Sequence, residues 1–307
     1  MIDKTYKAQV NLLLQTLPFV AKEECFALKG GTAINLFERD LPRLSVDIDL
    51  TYLPIEDRQT TLDNISQALG RIKADIEGHL DGVSVTTTPR EGQDAKINCQ
   101  SNESQIKIEV NTVTRGRIYP TRKMIVTEKV EEEFEKFAEI TVVSHAELFG
   151  GKICAALDRQ HPRDLFDVKI LLEKEGITDE VKNGFLVALL SHMRPMNEVL
   201  IPNFIDNHEA YDNQFTGMTD IEFSYDDYEA TRVQLVQTIK AALTEKDKEF
   251  LLSFKAGNPD WALFPIDTVK ELPAVRWKLK NIERLKKENP KKFQGLFEAL
   301  ETKLKEL

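Results

Sequence analysis

Asp47 and Asp49 stand one residue apart in "VDIDLTYL" (46–53), a stretch that alternates between apolar and polar positions. That period predicts a β-strand with Val46, Ile48 and Leu50 on one face and Asp47, Asp49 and Thr51 on the other. Two like charges on one strand face repel unless water or a cation lies between them. "SQIKIEVN" (104–111) alternates in the same way and sets Glu109 opposite the apolar side formed by Ile106, Ile108 and Val110. Three carboxylates on sheet faces suit a hard divalent cation. Mg²⁺, held by carboxylates together with substrate phosphates and acting as a pair of ions, is the expected cofactor. Upstream, Gly30 and Gly31 let the backbone approach a phosphate closely. Thr32 then reads as the N-cap of a helix, "TAINLFERD" (32–40), whose first N–H groups favour an anion. A phosphate cradle followed by a metal-binding strand is the layout that nucleotidyl transfer requires, with an NTP as substrate and pyrophosphate as leaving group.

The elements around these residues predict a mixed sheet with helices in the first half of the chain. Helical spacing marks residues 4–17 and 57–77, and strands are expected at 25–31, 82–88, 95–101 and 104–111. The turn-rich "PREGQD" (89–94) joins two of them. From about Ser144 the pattern is helical to the end. "SHAE" (144–147) has the form of a capping box, and a helix runs from there to a stop near Pro162. "RDLFDVKILLEKEG" follows, closed by Gly176. The fold class expected is α+β, divided into residues 1–178 and an all-helical 179–307.

With its motifs in view, "LKGGTAINLFERDLPRLSVDIDL" resembles the AbiEii/AbiGii toxin family of the polymerase-β-like nucleotidyltransferase superfamily. The resemblance extends through "SHAELFGGKICAALDRQHPRDLFDV" (144–168) and "FKAGNPDWALFPIDTVKELPAVRWKLKNIERL" (254–285). It implies a polymerase-β-like N-terminal fold and a toxin of an abortive-infection or type IV toxin–antitoxin system. It also implies phosphate binding by Gly30, Gly31 and Thr32, and metal ligation by Asp47, Asp49 and Glu109. Lys152 matches a later functional lysine, and both Asp164 and Asp167 match its aspartate, with Asp167 preferred. Arg43 and Ser45, just before the metal strand, are candidates to orient Asp47 or the phosphates. The implied acceptor is the 3′ end of tRNA, whose modification blocks translation, and the implied partner is a cognate antitoxin. The alternatives are a protein hydroxyl as acceptor, or a nucleotide-binding module without catalysis.

Composition bounds the rest. The 307 residues are 41% hydrophobic and 30% charged, as in a globular protein. A net charge of −10 argues against nonspecific nucleic-acid binding by the molecule as a whole. Yet "RWKLKNIERLKKENPKK" (276–292) carries eight Lys and Arg against two Glu, either as a solvated helix burying Leu279, Ile282 and Leu285 or as a contact for RNA phosphates. No apolar run is long enough for a membrane span, and "MIDKTYKAQV" lacks the apolar core of a signal peptide. Cys25, Cys99 and Cys154 lack metal-ligand spacing, and the cytoplasm is their expected compartment.

Overall fold

The computed structural model describes residues 3–90 and 93–306, so the centre of the "PREGQD" turn lies outside it. The chain is mixed α+β and forms two compact units. One comprises the residues up to Ser144 together with Phe215–Glu222, and the other comprises His145–Gln214 and Phe223–Leu307. The boundary expected at residue 178 falls inside the second unit, between two of its helices.

In the first unit, α1 (Lys4–Val20) is capped by Asp3, whose carboxylate accepts from Thr5 N at 2.7 Å. It buries Val10, Leu13, Leu14 and Leu17 against the sheet's apolar side. The strands are β1 (Phe26–Lys29), β2 (Asp47–Tyr52), β3 (Ser84–Arg90), β4 (Gln93–Gln100), β5 (Gln105–Asn111), β6 (Arg122–Ile125) and β7 (Glu139–Val142). They form one sheet in the order β3-β4-β5-β2-β1-β7-β6. The pairings of β2 with β5 and of β1 with β7 are parallel, and the others are antiparallel. Ile48, Leu50, Ile106, Ile108 and Val110 are all buried, as the alternation predicts.

Between β1 and β2 the chain turns at Gly30, whose φ of +75° is open to glycine at little cost. A short helix α2 (Gly30–Ala33) then passes into a π-turn over Ile34–Glu38. Thr32 is therefore not the N-cap. The positive φ at Gly30 starts the helix two residues earlier, Lys29 takes the cap position, and Thr32 lies buried inside. Further helices are α3 (Arg58–His79), capped by Asp57, and α4 (Glu128–Phe134).

Every described element of the second unit is helical. The first three helices are α5 (His145–Arg159), α6 (Pro162–Lys174) and α7 (Asp179–Ser191). Then come α8 (Met196–Leu200), α9 (His208–Gln214), α10 (Tyr225–Ala242), α11 (Glu245–Lys255), α12 (Pro273–Glu288) and α13 (Pro290–Glu306). Pro162 opens α6 at N1, and His161 before it accepts from Arg163 N at 3.1 Å, a capping role that suits a partly buried imidazole. No described helix is long and apolar enough to cross a membrane.

Helices α5 and α7 meet through backbone. A Cβ on Gly150 would lie 2.3 Å from Gly184 C, and one on Gly184 would lie 2.1 Å from Ala146 O. Gly150→Ala gains about 1 kcal/mol of helix propensity, but it forces the two helices apart at a cost near the upper end of overpacking, about 3 kcal/mol. The net expectation is a loss of about 2 kcal/mol, seen as a lower denaturation midpoint at unchanged slope. A variant as stable as wild type would show that the helices separate freely.

The basic 276–292 segment departs from the simple solvated helix. Ile282 is buried, but Leu279 and Leu285 are only partly so. Lys278 is drawn in, donating to the carbonyls of Leu189, His192 and Arg194 at 3.1, 2.7 and 3.1 Å. It closes the C-terminal end of α7, and burial pushes its ammonium down to about 8.

Candidate active site

The sheet register assembles the carboxylates. Across the parallel β2–β5 pair Asp49 faces Glu109 and Asp47 faces Lys107, while across β1–β2 Lys29 faces Asp49. Directly paired residues share a sheet face, so Asp47, Asp49 and Glu109 lie on one surface, opposite the core. Two lysines lie there as well. Lys107 Nζ pairs with Glu109 at 3.0 Å, and Lys29 Nζ stands 3.5 Å from Thr114 Oγ1.

These charges shift one another's titration. Burial pushes the Asp49 carboxyl above its ordinary value, as do Asp47 and Glu109, while Lys29 and Lys107 pull it back. Burial pulls the Lys29 ammonium down against the opposing influence of Asp49 and Glu109. Burial also works against the Lys107 ammonium, but its bond to Glu109 and the three carboxylate charges outweigh this and raise it.

The glycines press on the same cluster. A Cβ on Gly30 would sit 2.7 Å from Asp49 Oδ2, and one on Gly31 would sit 2.9 Å from both Arg43 Nη2 and Ser45 Oγ. Both positions exclude any larger side chain while the neighbours keep their places. Arg43, Ser45 and Thr32 are buried. Thr32 Oγ1 lies 3.1 Å from Ser45 Oγ and also reaches the Asp47 carbonyl, and so ties the glycine turn to the start of β2. Arg43 Nη1 donates to Leu44 O at 2.8 Å, which fixes the guanidinium beside Gly31.

The donor set fits a hard divalent cation in chemistry: oxygen ligands only, on one sheet face, beside a turn that only glycine allows. Among the described residues, however, no three acidic, His or Cys side chains are drawn tightly enough together to hold a metal as they stand. Glu109 is instead engaged by Lys107.

In the second unit, Lys152, Asp164 and Asp167 come together in a buried network. Lys152 Nζ lies 2.7 Å from Asp164 Oδ1 and 3.0 Å from Asp167 Oδ2, and all three residues are over nine-tenths buried. Arg159, its side chain 61% exposed, clasps Asp164 through Nε at 2.6 Å and Nη2 at 3.1 Å. Burial would raise the Asp164 carboxyl, but Lys152 and Arg159 more than reverse this and hold it far below the usual range. Lys152 pairs with both Asp164 and Asp167, so these contacts favour neither as the functional aspartate. Lys29 and Lys107 escaped the sequence argument although their signals were visible: Lys29 abuts the glycine pair, and Lys107 shares a strand face with Glu109.

The family described as "Nucleotidyl transferase AbiEii toxin, Type IV TA system" matches residues 12–281. This chain belongs to that family. It is thus an AbiEii-type nucleotidyltransferase toxin, as the sequence resemblance implied. Among solved structures, this AbiEii chain resembles MenT4, a nucleotidyltransferase toxin of Mycobacterium tuberculosis H37Rv. The TM-score is 0.60 at 13% identity, over 91% of this chain and 93% of that one, so the two share a fold. A tRNA-processing enzyme in an apo form aligns over 96% of this chain and 97% of its own, at 15% identity and a TM-score of 0.24, too low to carry an argument. No curated protein matches.

Proposed function

We propose that this AbiEii toxin transfers NMP from an NTP to an acceptor hydroxyl at the face where β1, β2 and β5 line up Lys29, Asp49 and Glu109. The observation that carries this reading is the register: two carboxylates in one row, a third in the next, and a glycine turn pressed against Asp49. On this reading the first unit has a polymerase-β-like fold, and the second unit, starting at His145, is the helical domain. Asp47, Asp49 and Glu109 would hold Mg²⁺, expected as two ions. When bound, the metal supplies charge neutralisation at the α-phosphate and the leaving pyrophosphate.

The chain's own groups do the rest. The backbone at Gly30 and Gly31 lets a phosphate approach, and the Arg43 guanidinium and the Ser45 hydroxyl stand beside Gly31 as donors to it. Thr32 keeps that turn attached to the metal strand. Lys152, Asp164 and Asp167 are proposed as further functional residues of the toxin, with Lys152 as a compact cation suited to triphosphate oxygens. By the family resemblance the proposed acceptor is an RNA 3′ hydroxyl, with tRNA as the RNA whose modification stops translation and growth in the cytoplasm. A cognate antitoxin restrains it.

Incubating the protein with Mg²⁺, each labelled NTP and total tRNA tests this. Label in tRNA supports the reading; label only in protein assigns the acceptor to a protein hydroxyl; no transfer with any NTP leaves a nucleotide-binding module.

Helix α12 has a basic face that is proposed to contact RNA phosphates. Arg276, Lys280, Arg284 and Lys287 lie within one exposed arc of the helix beside Trp277, which is 58% exposed. Cations track phosphates, and an exposed indole stacks on a base. Reversing all four charges to Glu should raise the KM for tRNA by about tenfold or more and flatten its salt dependence, with kcat little changed. An unaltered KM would leave α12 as a solvated helix.

A further inference from the structure

Lys29 occupies a place that a metal site does not need. β1 sets it opposite Asp49, and β2 sets Asp49 opposite Glu109, so one ammonium and two carboxylates form a single row across three strands. Paired side chains in such a row start about 5 Å apart at Cβ, and short rigid strands give them little freedom to separate. The next row repeats the pattern with Asp47 opposite Lys107. The repulsion between Asp47 and Asp49 is thus already answered by the sheet's own lysines.

We propose that Lys29 is a positioning residue that competes with the divalent cation for Asp49 and Glu109. With no metal bound, its ammonium, together with Lys107 on Glu109, neutralises the pair and keeps the row in place. A divalent cation arriving alone meets that fixed positive charge and binds poorly. A triphosphate offers the ammonium new anionic partners, which lifts the competition, so metal and nucleotide each strengthen the other's binding. The toxin is therefore loaded by metal and NTP together and only weakly by metal alone. The inference rests on Asp47, Asp49 and Glu109 being the metal ligands.

The test is Mn²⁺ binding, followed by calorimetry and by the electron paramagnetic resonance of the free ion. Wild type, Lys29→Gln, Lys29→Met, Lys29→Arg and Asp49→Asn are compared with and without α,β-methylene analogues of the four NTPs. Removing the charge should tighten the binding of Mn²⁺ alone about tenfold, the effect of one like charge at close range. It should also shrink the gain produced by the analogue, while Lys29→Arg stays near wild type. A damaged site would bind metal more weakly, so tightening cannot arise from misfolding. Unchanged or weaker Mn²⁺ binding in both Lys29→Gln and Lys29→Met overturns the proposal. Asp49→Asn binding Mn²⁺ as well as wild type overturns the ligand assignment itself, an outcome distinct from failure at Lys29.

Discussion

Asp49→Asn should lower kcat/KM for nucleotidyl transfer about a thousandfold or more and abolish growth inhibition, without destabilising the fold. The two halves of this result have separate causes. Activity falls because an amide oxygen is a poor substitute for a carboxylate in charge neutralisation, and a loss of about 4 kcal/mol of transition-state stabilisation corresponds to three powers of ten. Stability holds because Asp49 is a strained charge: burial, Asp47 and Glu109 all push its carboxyl towards the neutral form. An isosteric neutral amide relieves that strain, so the thermal midpoint should stay level or rise. Radiolabel transfer and thermal denaturation on the same preparation check both halves. Full activity and full toxicity in this variant would sink the catalytic reading of β2.

Lys152→Met should do the reverse, costing stability first and activity as a consequence. Asp164 and Asp167 would both remain buried with their shared cation gone, Asp164 keeping its clasp by Arg159, and breaking a buried pair costs about 3–5 kcal/mol. Inactivity of this variant alone therefore says nothing about triphosphate binding. Lys152→Met combined with Asp164→Asn and Asp167→Asn removes both carboxylate charges and should recover most of the lost stability. If the network serves the reaction, the recovered protein remains inactive; a stable and active triple variant would show the network to be purely structural. The pH dependence has a definite sign. The Asp164 carboxyl is held below its ordinary value of 3.8, so its contribution is complete above that pH and is lost as the pH falls below it towards the depressed folded value. Acid titration of wild type against Asp164→Asn should show the stability gap closing below about pH 4.

Much of this site could be read along the chain because its signals are local. Alternation located β2 and β5 and fixed the faces of Asp47, Asp49 and Glu109. The glycine pair marked a turn, and Lys152, Asp164 and Asp167 lay within one short stretch. What escaped depends on long-range pairing. Nothing local says that β1 runs antiparallel to β2, so nothing local sets Lys29 opposite Asp49. Thr32 misled because a threonine before a helical run has the signature of an N-cap, whereas the positive φ of Gly30 had already begun the helix. Lys278 carries the charge of a surface residue, and only the carbonyls at the end of α7 account for its burial.

The return of Phe215–Glu222 to the first unit bears on how such a toxin can be inherited and altered. Gly217 O accepts from Asp3 N at 3.0 Å, Met218 O accepts from Leu44 N at 2.7 Å, and the Thr219 hydroxyl donates to Pro42 O at 2.7 Å. Phe215 and Met218 are buried there as well. A gene broken once, after Ser144, would yield a first fragment that lacks a piece carried by the second. Recombination at a single crossover there would exchange the second unit and carry Phe215–Glu222 of the first along with it.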